Sequence, residues 1–171
     1  MGEAARLEHS VQQADFVEMD LCDWLQGVFE VYGDLYPAVN LIIRKPDHRC
    51  YAYAAPDLLQ QALDKLIDNA VEFTPQNGVV ELALSQEADE LLLSVRNQGS
   101  RLPEWLLDRL FEPMVTDRTS SPSAARNPHL GLGLYIVKLI AAVHRGSPFA
   151  ENSIVSGERG VQIGFRLPSA G

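Results

Sequence analysis

From His129 to Gly146 the chain reads HLGLGLYIVKLIAAVHRG, and no other stretch limits the fold as much. Gly131 and Gly133 sit one residue apart. From Leu134 a helical pattern begins, with Leu134, Val137, Ile140 and Ala141 on one face and more apolar residues around it. A helix of that kind must be buried. A glycine-rich turn that feeds it points free backbone N–H groups, at the positive end of the helix dipole, toward an anion. Glycine suits such a turn because a Cβ would block close approach and resist positive φ. A Gly-x-Gly pair alone is equally well explained as a loop-to-helix joint. The reading therefore rests on whether the chain also supplies a metal ligand, a base pocket and a cover.

The 171 residues suit one domain with a real core. The net charge of −9, with no basic stripe, argues against nucleic-acid binding. It leaves room for a small phosphate compound, which needs only local positive potential. Cys22 and Cys50 are the only cysteines, and neither lies in a C-x-x-C or Cys/His cluster. They read as buried or incidental thiols, with neither a zinc site nor a disulfide framework indicated. No apolar run is long enough to span a membrane and no signal peptide is visible, so the expectation is a cytoplasmic domain.

Residues 3–15 read as a polar helix with a thin apolar stripe, and His9 within it as a solvated histidine. Asp20 caps a helix from Leu21 to about Tyr32, closed by Gly33 and Pro37. Val39–Lys45 and Tyr51–Ala54 are strand candidates. Pro56 and Asp57 open a helix, PDLLQQALDKLIDNAVEF, whose Leu59, Leu63, Leu66 and Ala70 face the core. Its other face is a polar stripe of Gln61, Lys65, Asp68, Asn69 and Glu72. Val79–Leu84 and Leu91–Arg96 read as an antiparallel hairpin running into Asn97-Gln98-Gly99-Ser100. A short helix follows through Leu110, then Phe111-Glu112-Pro113. Residues 115–128 lack any apolar period, as a lid or binding loop would. Pro148–Val155 and Val161–Leu167 are the last strands.

LIDNAVEFTP, LFEPMVT and HLGLGLYIVKLIAAVHRG, in that order and at these spacings, resemble the ATP-binding catalytic domain of the sensor histidine kinases. These belong to the superfamily that also holds the GyrB-, Hsp90- and MutL-type ATPases. The resemblance covers roughly residues 20–168. It implies an α+β fold, a two-layer α/β sandwich with a mixed, mostly antiparallel sheet packed on helices. Residues 1–19 would be the remnant of a dimerisation and phosphoacceptor helix with its linker. Residues 20–171 would be the catalytic domain, with a lid at about 114–130. The implied cofactors are ATP and Mg²⁺, with Asn69 as the metal ligand. Asn97 would hold the adenine amino group, Gly99 would let the base come close, and Gly131 and Gly133 would leave N–H groups for the phosphates. Phe111 would anchor the start of the lid, and Arg118 within it would reach the terminal phosphates. Asn69 and Arg118 are thus the expected catalytic residues. Lys65, Glu72, Phe73, Leu102, Leu130, Leu132 and Leu134 complete the expected nucleotide contacts.

The implied reaction is transfer of the ATP γ-phosphoryl group to a histidine on a separate dimerisation domain, for relay to a response regulator. The implied whole protein is membrane-anchored and homodimeric, and this chain by itself monomeric. Five positions depart from the family pattern: Lys65, Glu72, Asn97, Arg101 and Leu130. Asn97 in place of an aspartate still accepts through its carbonyl oxygen, at the loss of one charge-assisted bond worth about 1 kcal/mol. Glu72 puts a carboxylate near polyphosphate, and Lys65, two turns earlier, can supply a compensating cation. A second reading stays open on these positions: a nucleotide-responsive regulatory module that acts through protein contacts.

Overall fold

The computed structural model describes residues 2–113 and 130–171. Its elements are α1 (Glu3–Gln13), β1 (Val17–Asp20), α2 (Leu21–Leu35), β2 (Asn40–Arg44), β3 (Tyr51–Ala54), α3 (Pro56–Phe73), β4 (Val79–Glu87), β5 (Glu90–Gln98), α4 (Glu104–Leu107), α5 (Leu130–Val143), β6 (Ser147–Val155) and β7 (Glu158–Pro168). Five strands form one sheet in the order β2-β4-β5-β7-β6. Only β2 and β4 run parallel; the other pairs are antiparallel. The helices pack on this sheet, with α3 against α5 and β5, α2 against β2, and α5 against β6 and β7. The result is the expected two-layer α/β sandwich.

Helix α3 has the bounds its sequence suggests. Pro56 fixes φ in the first turn and Asp57 complements the dipole there. At the other end the Thr74 hydroxyl donates to the Ala70 carbonyl at 2.6 Å, and Pro75 cannot continue the helix. Leu59, Leu63, Leu66 and Ala70 are buried, together with Leu58, Ala62 and Ile67. The middle of β5, Leu91 to Val95, is buried on both faces, as a central strand requires.

Four readings of the sequence change. Gly33 does not close α2, which runs on to Leu35. The short helix after Leu102 is a single turn, Glu104–Leu107. Asn97 and Gln98 belong to β5 rather than to a turn after it. Val17–Asp20 is a strand, paired antiparallel with β3 so that Asp20 lies opposite Tyr51. The same Tyr51 accepts a 2.8 Å hydrogen bond from Ala170 N–H through its carbonyl. Tyr51 of β3 therefore meets both the strand before α2 and the segment after β7.

Two polar features, the first of them buried, join these elements. His144, at the end of α5, donates from Nδ1 to the Ile140 carbonyl at 2.8 Å and accepts the Ala55 N–H on Nε2 at 3.1 Å. Phe16 covers its ring at a centroid distance of 5.1 Å. One imidazole thus links the end of α5, the start of α3 and the segment leading into β1. On the α2–α3 side, the Tyr32 hydroxyl donates to Asp64 and the Tyr36 hydroxyl donates to Asp68 at 2.5 Å. Gln60 Nε2 donates to both the Tyr32 hydroxyl and Asp64, each at 2.9 Å.

Candidate nucleotide-binding site

The end of α3, the end of β5, the segment around α4 and the start of β7 enclose a cavity of about 290 Å³. Its walls are Asn69 and Phe73 from α3, Asn97 from β5, and Ser100, Leu102, Leu106 and Leu110 from the connection around α4. Val161 and Ile163 of β7 close it. An apolar slot with a few converging polar groups is the usual form of a small-molecule site. Here the polar groups are two carboxamides on opposing elements. Asn97 is 6% exposed, and its Nδ2 donates to the Gln98 carbonyl at 3.1 Å. That bond orients the amide and leaves Oδ1 as its acceptor. Asn69 is half-buried on the last turns of α3, one residue from the Asp68 that holds Tyr36.

Gly99 sets the distance between these two elements. Its φ is +150°, and a Cβ there would stand 2.9 Å from the Phe73 carbonyl oxygen. The glycine therefore lets the end of β5 approach the end of α3. Its N–H donates to the Arg159 carbonyl at 2.9 Å, which holds the turn against β7. The cavity's outer wall is pinned by Asn152 of β6. Its Oδ1 accepts the Leu102 N–H and its Nδ2 donates to the Leu102 carbonyl, both at 2.8 Å. That pair of bonds imitates a strand neighbour and fixes Leu102 over the slot.

Of the expected site residues, the cavity brings together Asn69, Phe73, Asn97 and Leu102. Gly99 lies at its edge as a spacer, and Phe111 packs half-buried against the core. Lys65 is half-buried one turn before Asn69, and Glu72 is exposed on the last turn of α3. Neither lines the cavity, and both have polar or charged partners. Arg118 and the expected lid up to residue 129 lie outside the described residues. Sequence reading did not pick out Asn152, Ser100, Leu106, Leu110, Val161 or Ile163 as site residues. Only the strand pattern of 161–167 and the apolar residues of 102–110 hinted at these walls.

The glycine motif differs from its expected form. Leu130, Gly131, Leu132 and Gly133 are already helical, so α5 begins four residues before the expected Leu134. The glycines occupy the first turn instead of a turn before it. The chemistry survives the change, because the first four N–H groups of any helix lack intrahelical acceptors and carry the dipole's positive end.

Among the described residues no group of three or more His, Cys, Asp or Glu could hold a metal ion. A divalent cation here would lean on oxygen donors of another kind. Mg²⁺ keeps several waters and binds through one or two protein oxygens plus substrate phosphates, so the single carboxamide of Asn69 fits it.

The family model for "Histidine kinase-, DNA gyrase B-, and HSP90-like ATPase" matches residues 54–171. Sensor protein CreC of Escherichia coli (strain K12) is 36% identical over 114 residues, 67% of this chain and 23% of CreC. Sensor histidine kinase WalK of Bacillus subtilis (strain 168) is 31% identical over 135 residues, 76% of this chain and 21% of WalK. The chain therefore spans about a quarter of the length of these curated relatives. Among solved structures, the catalytic domain of histidine kinase ThkA matches with a TM-score of 0.73 and 25% identity over 90% of this chain and 95% of that one. The ATP-binding domain of PrrB from Mycobacterium tuberculosis matches with a TM-score of 0.70 and 25% identity, over 92% and 99%. With its sheet, its cavity and the helix that opens on Gly131 and Gly133, the chain belongs to the histidine kinase-, DNA gyrase B- and HSP90-like ATPases, on the sensor histidine kinase side of that family.

Proposed function

We propose that this domain binds ATP with Mg²⁺ and presents the γ-phosphoryl group to a histidine on a separate dimerisation domain of the same protein. The observation that carries the reading is the pair of carboxamides, Asn69 on α3 and Asn97 on β5, lining one largely apolar cavity. Adenine fits between Phe73, Leu102, Leu106 and Ile163, with its amino group donating to Asn97 Oδ1. The phosphates run toward the N–H groups of the first turn of α5. Asn69 would hold Mg²⁺ together with phosphate oxygens, and the ion would neutralise charge on the transferring group. The bond between the γ-phosphorus and the bridging oxygen breaks as a bond forms to the acceptor nitrogen. The domain's share of catalysis is positioning and charge neutralisation.

Lys65 would offset the carboxylate of Glu72, and Arg118 would reach the terminal phosphates. Residues 1–19 would be the end of the dimerisation domain with its linker, and 20–171 the catalytic domain. The phosphorylated histidine would pass its group to a response regulator; ThkA is known in complex with the response regulator protein TrrA. The whole protein would be a membrane-anchored homodimer with this domain in the cytoplasm. No helix among the described residues is long and apolar enough to cross a membrane.

Calorimetric titration with ADP and a non-hydrolysable ATP analogue, with and without Mg²⁺, tests this on the intact chain and on Asn69→Ala. Micromolar binding that depends on Mg²⁺ and weakens at least tenfold in Asn69→Ala is the expected result. No binding at millimolar nucleotide would overturn it in favour of a module that acts through protein contacts, the reading that Glu72, Asn97 and Leu130 favour.

A further inference from the structure

The two cysteines are far apart in the chain and adjacent in the fold. β1 pairs with β3 so that Asp20 faces Tyr51, which brings the start of α2 against the residue before β3. Leu21 N–H donates to the Cys50 carbonyl at 2.8 Å. One oxygen, Asp20 Oδ1, accepts the N–H of Cys22 at 3.0 Å and the N–H of Cys50 at 3.2 Å. The two thiols share a partner as well. Both point toward the His48 carbonyl, Cys22 Sγ at 3.3 Å and Cys50 Sγ at 3.9 Å. Both thiols are buried, as the sequence suggests, and the fold brings Cys22 to His48 and Cys50.

His48 gives the pair an asymmetry. Its side chain is exposed, and its Nδ1 lies 3.7 Å from Cys50 Sγ and 3.2 Å from the Arg49 carbonyl. With its proton on Nε2 the ring can take the Cys50 proton on Nδ1, and that N–H then hydrogen-bonds the Arg49 carbonyl. Cys22 has no such base, and burial with the neighbouring Cys50 thiol pushes it up to about 12. Cys50 is therefore the thiol that reacts first. The cysteines are 5% and 2% exposed, so attack comes through the exposed segment around His48.

We propose that Cys22 and Cys50 form a reversible disulfide in the folded domain when it meets a peroxide, with Cys50 as the attacking thiol and Cys22 as the resolving one. Cys50 passes its proton to His48, and its thiolate attacks one peroxide oxygen. An S–O bond forms, the O–O bond breaks, and water leaves with that proton. The Cys22 sulfur then attacks the Cys50 sulfur, so that an S–S bond forms, the S–O bond breaks, and hydroxide leaves with the Cys22 proton as a second water. Two thiols are oxidised and one peroxide is reduced. The bridge would clamp the corner where β1 hands over to α2, some distance from the nucleotide cavity. It would thus fix the junction between residues 1–19 and the rest of the domain.

The folded chain is treated with hydrogen peroxide, quenched, denatured and alkylated, then weighed intact and mapped by peptide. The expected product is a monomer lighter by two hydrogens, with no alkylation and a peptide linking Cys22 to Cys50, restored by dithiothreitol. In Cys22→Ser, Cys50 should be trapped by dimedone as a sulfenic acid. In Cys50→Ser, labelling of Cys22 should be at least tenfold lower. His48→Ala should slow bridge formation several-fold without changing the final product. Retention of both thiols, a bridge between two chains, or Cys22 labelled as readily as Cys50 would overturn the proposal. None of these readouts depends on nucleotide binding, so failure here is distinct from failure of the kinase reading.

Discussion

Gly99 has no side chain, yet it decides whether the cavity can form. Any other residue there meets both an unfavourable φ of +150° and the Phe73 carbonyl at 2.9 Å. Gly99→Ala should cost about 1–3 kcal/mol of stability. It should also weaken nucleotide binding by pushing β5 away from α3, a loss that thermal unfolding and calorimetry would register together. The sequence pointed to Gly99 for close approach of the base; its contact with a carbonyl 26 positions away in the chain is invisible to local reading. His144 makes a second point at this scale. Burial holds its imidazole below its ordinary value of 6.5, so the folded state favours the neutral ring. Nε2 needs its lone pair for the Ala55 N–H. Above about pH 6.5 the ring is neutral in both states and costs nothing. As pH falls below that value the unfolded chain takes up the proton first, and stability drops until the folded pKa is passed. Denaturant midpoints measured from pH 7.5 to 5 should fall more steeply for the native chain than for His144→Gln.

Among the elements, α3 was the most legible, since Pro56-Asp57 and Thr74-Pro75 mark its ends and its apolar period is unbroken. β1 was not legible. VEMD has no clear alternation, and only its pairing with β3 makes it a strand. The start of α5 was misplaced because glycine is a poor helix former, whereas in the fold the helix includes both glycines. Of the polar stripe read on α3, Asp68 takes the Tyr36 hydroxyl and Asn69 lines the cavity, while Gln60 and Asp64, outside that stripe, meet the Tyr32 hydroxyl on α2. Tyr32→Phe and Tyr36→Phe should each cost about 0.5–1.5 kcal/mol, more for buried Tyr32, as read by denaturant melts. Burial and the carboxylates beside them raise both phenols well above 10, Tyr32 further than Tyr36. In an alkaline absorbance titration their ionisation should appear only as the domain unfolds. Asn152 belongs at this scale too, since it ties β6 to the α4 segment with two bonds to Leu102. Asn152→Ala should weaken nucleotide binding several-fold by releasing that wall, and Asn152→Asp, which keeps only the acceptor, should weaken it less.

For the molecule as a whole, the order of motifs disclosed the family, and the resemblance carried the sandwich with it, in agreement with the helices and strands read from the sequence. The walls of the cavity were less visible, because Val161, Ile163 and Leu110 are apolar residues that any core would use. Their role comes from the sheet order, which sets β7 beside β5 and brings Val161 opposite Asn97. With Leu7, Val11 and Phe16 of residues 1–19 packed on the domain's own core, the chain should sediment as a monomer at micromolar concentration; a tight dimer would contradict this. A consequence follows from Tyr51, which faces Asp20 on one side and takes the Ala170 N–H on the other. The backbone is close to a closed loop at that point. A handful of flexible residues would join the two ends, and new termini could be cut at the exposed Ala88-Asp89 tip without touching the cavity. Such a rewired chain should fold and bind nucleotide as before. Residues 20–170 would then form a closed unit, with Tyr51 as the point where its two ends meet.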